Sequence, residues 1–153
     1  MISTKGRYAL VMMVDLAEHD SDDPVSIREM SERQEISGKY MEQIISTLIR
    51  AGLVKSIRGA QGGYHLAVPA DEITVGMILR ATEGDMAPTE CVYSGTCCER
   101  NGVCPSQSLF RRVYSAINEV IDHVTLHELV EEERSGRCCK EPALSQDMKK
   151  EDA

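Results

Sequence analysis

The stretch SIREMSERQEISGKYMEQIISTLIRAGLVKSIRGAQGGYHLAV, residues 26–68, decides the fold of this 153-residue chain. It opens with Ser26, followed three residues later by Glu29, which is a capping-box pattern that predicts a short helix. After a tight turn, a second capped helix is expected from Ser37 to about Ala51, where Gly52 supplies a stop. Two short helices joined in this way indicate a helix-turn-helix.

The second of these helices separates apolar from polar residues. Its apolar residues recur at helical spacing and would face the core: Met41, Ile44, Ile45, Leu48 and Ile49. Its other side is left polar: Lys39, Tyr40, Gln43, Ser46 and Arg50. A second helix that presents hydrogen-bonding side chains is typical of a helix-turn-helix that reads DNA.

A β-hairpin is expected directly after this helix. Alternating stretches at Leu53–Ile57 and Tyr64–Val68 flank a glycine-rich tip at residues 58–63. A helix-turn-helix followed by a hairpin is a winged helix-turn-helix. The sequence therefore predicts a mainly α fold with a small β-hairpin.

Helices are also expected on both sides of the winged helix. A largely apolar segment from about Thr4 to His19 precedes it, and Thr74 caps a short helix that ends near Gly84. A long C-terminal amphipathic helix is predicted by apolar residues at spacings of one, three and four: Leu109, Phe110, Val113, Tyr114, Ile117, Val120, Ile121 and Val124. So wide a stripe needs an apolar partner, and a second copy of the chain is the economical candidate, so we expect a dimerisation helix. Thr125 caps a last short helix.

These elements divide the chain into four parts. We expect a DNA-binding domain at 1–84, a cysteine loop at 85–105, dimerisation helices at 106–134 and a disordered tail at 135–153.

Composition narrows the functional classes. No apolar run approaches 18 residues, and Asp15 and Glu18 interrupt any signal-peptide core, so we expect a cytoplasmic protein without membrane contact.

The net charge of −8 is unevenly spread. Residues 36–69 carry four basic side chains against one acidic (+3), whereas from residue 71 onward there are 9 basic and 16 acidic residues (−7). A modest basic region beside an acidic body suits sequence-specific DNA binding. No set of residues has the spacing of a catalytic motif, so we do not expect an enzyme.

The segment CVYSGTCCERNGVC, residues 91–104, contains four of the six cysteines of the chain. Clustered thiols are usually stabilised by a metal, an iron–sulfur cluster or a disulfide. Two sets of three cysteines could act together, because either Cys97 or Cys98 can be the middle residue between Cys91 and Cys104. Zinc, a disulfide switch and a loop without any ligand remain alternatives. The adjacent pair Cys138 and Cys139 is expected to have no metal-binding role, because neighbouring thiols rarely chelate one metal well.

Together, the helix-turn-helix, the wing sequence Arg58-Gly-x-x-Gly-Gly-Tyr64, the three-cysteine loop and the long helix resemble the Rrf2 family of bacterial transcriptional regulators. Within it, the likeness is greatest to the iron–sulfur cluster regulators and to nitric-oxide- and iron-sensing relatives. The resemblance covers residues 1 to about 133. It implies a winged-helix homodimer on double-stranded DNA with a near-palindromic operator.

The resemblance also implies the DNA contacts. They would fall on these residues of the second helix and the wing: Ser37, Lys39, Tyr40, Glu42, Gln43, Arg58, Gln61 and Gly62. The residue types suit such roles. Gln43 can pair with adenine, Glu42 can accept from cytosine, and Ser37 can hold phosphate. Arg58 at a hairpin tip suits minor-groove insertion.

For the loop, the resemblance implies an iron–sulfur cluster held by Cys91, Cys98 and Cys104, with [2Fe-2S] favoured over [4Fe-4S]. Cys98 is preferred to Cys97 because the second gap then matches the commoner family spacing. Where cluster-binding relatives place a histidine, this chain has Gln107, and a neutral amide is a poor iron ligand. No fourth ligand is assigned.

The sequence therefore predicts a cluster-modulated regulator, with repression favoured, of iron–sulfur biogenesis or of iron, sulfur or nitrosative-stress genes. Two alternatives stay open. One is a clusterless family member that represses cysteine metabolism through a protein partner or thiol redox chemistry. The other is a small iron–sulfur carrier, which would need neither the wing nor the polar helix face.

Overall fold

The computed structural model describes residues 2–21, 23–93 and 103–136. Cys97, Cys98, Cys138 and Cys139 lie outside these ranges, as does most of the tail, so the predictions made for them are not addressed by the structure. The described elements follow one another in this order: α1 (Thr4–Glu18), α2 (Ile27–Gln34), α3 (Gly38–Arg50), β1 (Val54–Ile57), β2 (Gly63–Leu66), α4 (Val75–Glu83), a 3-10 turn (Glu90–Val92), α5 (Pro105–His123) and α6 (Leu126–Arg134). A mainly helical winged helix-turn-helix is thus confirmed.

Local capping chemistry fixes where the helices begin. The Ser26 hydroxyl accepts from the Glu29 amide while the Glu29 carboxylate accepts from the Ser26 amide, which completes the predicted capping box. Ser37 and Thr74 cap α3 and α4 with their side chains. Thr125 begins α6 with a second capping box. These bonds satisfy amide groups that have no partner within a helix.

The wing is a two-stranded antiparallel hairpin in which Val54 faces Leu66 and Ile57 faces Gly63. It begins one residue later than the sequence suggested, because the Leu53 amide still donates to the Leu48 carbonyl at the end of α3. Gly59 adopts a φ of 125°, which an L side chain rarely tolerates, so the tip requires glycine there. β2 is joined to the loop before α2 by two backbone bonds between Val25 and Tyr64.

One main core joins the first helix, the helix-turn-helix, the wing and the last helix. Its fully buried side chains include Met12, Met41, Ile44, Leu48, Ile73 and Leu126. Leu126 belongs to α6, so the C-terminal helix returns to the DNA-binding half of the chain. Backbone bonds from Leu126 to Ile73 and from Val75 to Val124 fasten this return.

A second, smaller cluster packs α4 against α5, with Val75, Leu79, Met86 and Ile121 buried. Glu83 at the end of α4 reaches back to the start of α1, where its Oε1 accepts from the Gly6 amide (2.8 Å) and from the Ser3 hydroxyl (2.5 Å). These bonds lower the pKa of Glu83, with the Ser3 hydroxyl as the largest cause. Within the described ranges, no helix is long and apolar enough to cross a membrane.

Candidate nucleic-acid interface and cysteine loop

The face of α3 that the sequence left polar is open to solvent. Lys39, Glu42, Gln43 and Ser46 are exposed, whereas Met41, Ile44, Ile45 and Leu48 on the other side are buried. The side chains predicted to meet base edges therefore project from the surface. Their neighbour Arg50 is also exposed and donates to the Thr47 hydroxyl (3.3 Å).

Two residues at the start of α3 have structural tasks as well. Ser37 Oγ accepts from the Tyr40 amide (3.3 Å), and its hydroxyl proton can still be donated to an anion. Tyr40 is only half-exposed, because its ring packs edge-on against Tyr8 of α1 with centroids 5.9 Å apart. Arg7 lies over the same Tyr8 ring, 5.0 Å from its centroid. The sequence had placed Tyr40 on the free face, and the structure shows that part of its ring supports the packing of α3 on α1.

The wing presents the other predicted contact residues at its tip. Arg58 and Gln61 are exposed. At Gly62 a Cβ atom would stand 2.5 Å from the Ile57 carbonyl oxygen and 2.9 Å from that of Gly59, both of them backbone atoms. The tip therefore keeps its shape only with a glycine at this position.

A buried carboxylate fixes the helix-turn-helix to α1. Asp15 is 1% exposed, and it accepts from Arg33 Nε (3.0 Å), Arg33 Nη2 (2.5 Å) and Gln34 Nε2 (2.8 Å). The bond to Asp15 is also the largest cause that raises the pKa of Arg33. Sequence reasoning missed this network, although an aspartate between Met13 and Leu16 on an apolar helix was a signal that it needs a buried partner. The network sets how α2, and with it α3, sits on the body.

The cysteine loop is anchored at both of its described ends. Cys91 lies in the 3-10 turn and Cys104 is the N-cap residue of α5, each partly buried. A helix N-terminus favours negative charge, so the Cys104 position suits a thiolate. The third predicted sulfur, Cys98, lies outside the described ranges. Within those ranges, no three His, Cys, Asp or Glu side chains are grouped closely enough to hold a metal ion.

Gln107 has a role that the sequence did not suggest. Its side chain is buried, and its Nε2 donates to the carbonyl oxygen of Cys91 (3.2 Å). The amide thus connects the first turn of α5 with the turn that contains Cys91. In this arrangement Gln107 braces the two ends of the loop against each other.

The helix that follows the loop is bound to the rest of the molecule by polar contacts. Arg80 of α4 donates to Asp122 (2.5 and 3.0 Å) and to the Asn118 side chain (2.6 Å). The hydrogen bond from Arg80 is the largest cause that lowers the pKa of Asp122. Tyr114 donates to Asp85 (2.9 Å), and this bond raises the pKa of Tyr114. A displacement of α5 would therefore strain these hydrogen bonds and change the position of α4.

The apolar stripe of α5 is split between two surroundings. Ile117 and Ile121 pack on the α4 cluster. Leu109, Val113 and Val120 are 55%, 38% and 61% exposed and lie along one side of the helix. The described part of the chain thus leaves an apolar strip uncovered.

Comparison with known proteins agrees with this architecture. Residues 2–132 match the model of the Rrf2 family, described as an iron-dependent transcriptional regulator. The regulator IscR of Aliivibrio salmonicida is 40% identical over 129 residues, which cover 84% of this chain and 76% of the relative. The regulator CymR of Bacillus subtilis is 41% identical over 128 residues, covering 84% and 88%. Among solved structures, T. potens IscR aligns with a TM-score of 0.74 at 38% identity and covers 90% of each chain. This chain belongs to the Rrf2 family of DNA-binding transcriptional regulators.

Proposed function

We propose that this regulator is a homodimer whose affinity for its operator is set by an iron–sulfur cluster bound in the 85–105 loop. The observation that carries the proposal is the position of the loop. Its last predicted ligand, Cys104, is the N-cap residue of α5, and α5 is bonded to α4 of the DNA-binding domain through Arg80. A change at the cysteines would therefore be transmitted through α5 and α4 to the DNA-binding domain.

DNA binding is assigned to the exposed face of α3 and to the wing. Glu42 and Gln43 would meet base edges in the major groove, and Ser37 and Lys39 would hold phosphates. Tyr40 would add a contact through the exposed part of its ring. In the wing, Arg58, Gln61 and Gly62 would enter the adjacent minor groove. Since a two-fold symmetric dimer binds half-sites of matching symmetry, a near-palindromic operator is expected.

The donor set of the loop fits a cluster. Cys91 and Cys104 supply two soft sulfur ligands at the ends of one segment, with Cys98 proposed as the third. An iron–sulfur group bound there would supply sensitivity to oxidants, nitric oxide or iron supply. Gln107 is engaged with the Cys91 carbonyl, so the fourth ligand is left unassigned. We favour [2Fe-2S] over [4Fe-4S] by family likeness.

Coupling between the loop and DNA would pass through α5. Cys104 is the N-cap residue of this helix, so a ligand bound at its sulfur would fix the first turn of α5. Tyr114 and Asp122 would pass the position of the helix on to Asp85 and Arg80. Coupling between two sites typically amounts to about 1–3 kcal/mol, or roughly 5–150-fold in affinity. The genes controlled would serve iron–sulfur biogenesis or iron, sulfur or nitrosative stress, by repression and in the cytoplasm.

The dimer is proposed to form along the uncovered strip of α5. Leu109, Val113 and Val120 are the residues to test, since Ile117 packs within its own chain. We expect the double change Leu109→Glu with Val113→Glu to give monomers in sedimentation equilibrium. Ser115→Glu, a change at an exposed position of the same helix outside the strip, serves as the charge control. Sedimentation that finds the double variant still dimeric would place the interface elsewhere.

Anaerobic purification tests the cluster assignment. Protein with Cys91, Cys98 or Cys104 replaced by Ala should lack the visible absorbance and the iron and sulfide content of the wild type. Replacement of Cys97, Cys138 or Cys139 should leave both unchanged. Retained absorbance in Cys98→Ala with loss in Cys97→Ala would mean that Cys97 is the ligand. Wild-type protein without iron or sulfide after reconstitution would refute cluster binding.

The second candidate function is a clusterless regulator. A specific observation favours it: the sequence identity to CymR, described with its solved structure as the global cysteine regulator of B. subtilis, is as high as that to IscR (41% against 40%). If a protein partner is the effector, the protein would bind its operator equally well with every thiol blocked; if thiol redox chemistry is the effector, blocking the thiols would change binding without any iron or sulfide being present.

A further inference from the structure

Each of the two described loop cysteines has a hydroxyl group beside its sulfur. Thr89 Oγ1 lies 3.3 Å from Cys91 Sγ, and Ser106 Oγ lies 3.0 Å from Cys104 Sγ. The threonine precedes its cysteine by two residues and the serine follows its cysteine by two, so the same contact is built at opposite ends of the loop.

The Thr89 hydroxyl is not used for helix capping. Thr89 is the N-cap residue of the 3-10 turn, yet its side chain makes no capping bond there and instead contacts the Cys91 sulfur. Ser106 is the second residue of α5, and Cys104 is the N-cap residue at the positive end of the helix dipole. The Ser106 hydroxyl adds a polar group that favours negative charge on the Cys104 sulfur.

Ligation decides which atom donates in these contacts. In a free thiol either the sulfur or the oxygen can be the donor. A sulfur that binds iron is a thiolate without a proton, so the hydroxyl must be the donor and the sulfur the acceptor. Hydrogen bonds to ligating sulfurs favour the form of the centre with more negative charge, which is the reduced form.

We propose that Thr89 and Ser106 are positioning residues that donate hydrogen bonds to the thiolates of Cys91 and Cys104 and so raise the reduction potential of the centre held in this loop. The proposal rests on the cluster-binding function proposed above. The redox couple concerned is one-electron. In a titration the electron comes from dithionite, no bond in the protein forms or breaks, and the added negative charge is shared with the two hydrogen-bonded sulfurs.

Matched substitutions separate the hydroxyl from the rest of each side chain. Thr89→Val keeps the shape and removes the hydroxyl, whereas Thr89→Ser keeps the hydroxyl. At the other end, Ser106→Ala and Ser106→Thr form the corresponding pair. Full-length protein, reconstituted without oxygen, is titrated with dithionite and mediators while absorbance is followed. Iron and sulfide are counted, and iron–sulfur stretching bands are recorded by resonance Raman.

We expect Thr89→Val and Ser106→Ala each to lower the midpoint potential at unchanged iron content. The double variant should show about the sum of the two shifts, because the bonds are to different sulfurs. Thr89→Ser and Ser106→Thr should stay near the wild-type value. If Thr89→Val or Ser106→Ala alone loses iron while its hydroxyl-retaining counterpart keeps it, the hydroxyl is again the group required.

Two results would overturn the inference alone. One is an unchanged potential and unchanged Raman bands in the double hydroxyl-free variant with full iron content. The other is an equal effect of both substitutions at a position, which would assign the residue to packing. Wild-type protein that assembles no centre at all would overturn this inference together with the proposed function.

Discussion

Replacing Asp15 by asparagine removes a charge from beneath the helix-turn-helix while preserving the size of the side chain. The carboxylate is 1% exposed and accepts three bonds from Arg33 and Gln34. The asparagine amide would direct two N–H groups into a site that is already filled with donors. Removal of one partner from a buried ion pair typically costs about 3–5 kcal/mol. The Arg33 side chain is 33% exposed and can regain water, so we place the loss at about 2–3 kcal/mol, below that range.

The assay is urea unfolding followed by circular dichroism, at one protein concentration because dimerisation is linked to stability. A loss of this size corresponds to a fall of roughly 5–10 °C in Tm for a chain of this length. Glu32→Gln is the matched control, because it makes the same chemical change in the exposed Arg28–Glu32 pair on α2. It should leave the free energy of unfolding close to the wild-type value, because this pair is exposed to solvent. Equal effects of the two substitutions would refute the argument that Asp15 holds α2 in place.

Three further outcomes are expected. Gly62→Ala should weaken operator binding by about 1–3 kcal/mol and also lower the unfolding free energy, because the new Cβ would meet wing backbone at 2.5 Å and the tip would have to change shape. Gel-shift affinity equal to wild type would exclude a contribution of the tip at Gly62 to DNA binding. Gln43→Ala should cost about 1–3 kcal/mol and relax specificity at one base position; a uniform loss across operator variants would instead assign Gln43 to phosphate. Glu83→Gln should reduce the free energy of unfolding at pH 6, because the pKa of Glu83 is lowered in the folded protein. The difference from wild type should shrink as the pH falls below the ordinary glutamate pKa of 4.5, and a difference that is constant with pH would show that the charge has no role.

The features that the sequence predicted correctly are those encoded by neighbours along the chain. A serine or threonine three residues before the amide it caps sufficed to predict where α2, α3, α4 and α6 begin. The apolar spacing of α3 identified its buried side, and the glycines at the wing tip identified the hairpin. All these signals act within a few residues and need no tertiary context.

The features that escaped prediction depend on distant residues. Asp15 and Arg33 are 18 residues apart, and Glu83 caps a helix whose first residues precede it by about 80 positions. Periodicity gave the width of the α5 stripe, but it could not show that Ile121 faces its own chain while Leu109 stays exposed. Gln107 was considered only as a poor ligand, since nothing local indicates its bond to the Cys91 carbonyl.

The measurement that tests the central claim most directly is the operator affinity of one anaerobic preparation before and after removal of its iron and sulfide, at fixed salt. Cys104→Ala and Cys138→Ala proteins are measured in parallel. We predict that wild type and Cys138→Ala change affinity by roughly 5–150-fold on iron and sulfide removal, and that Cys104→Ala does not respond. An affinity that is the same in all these samples would contradict the account.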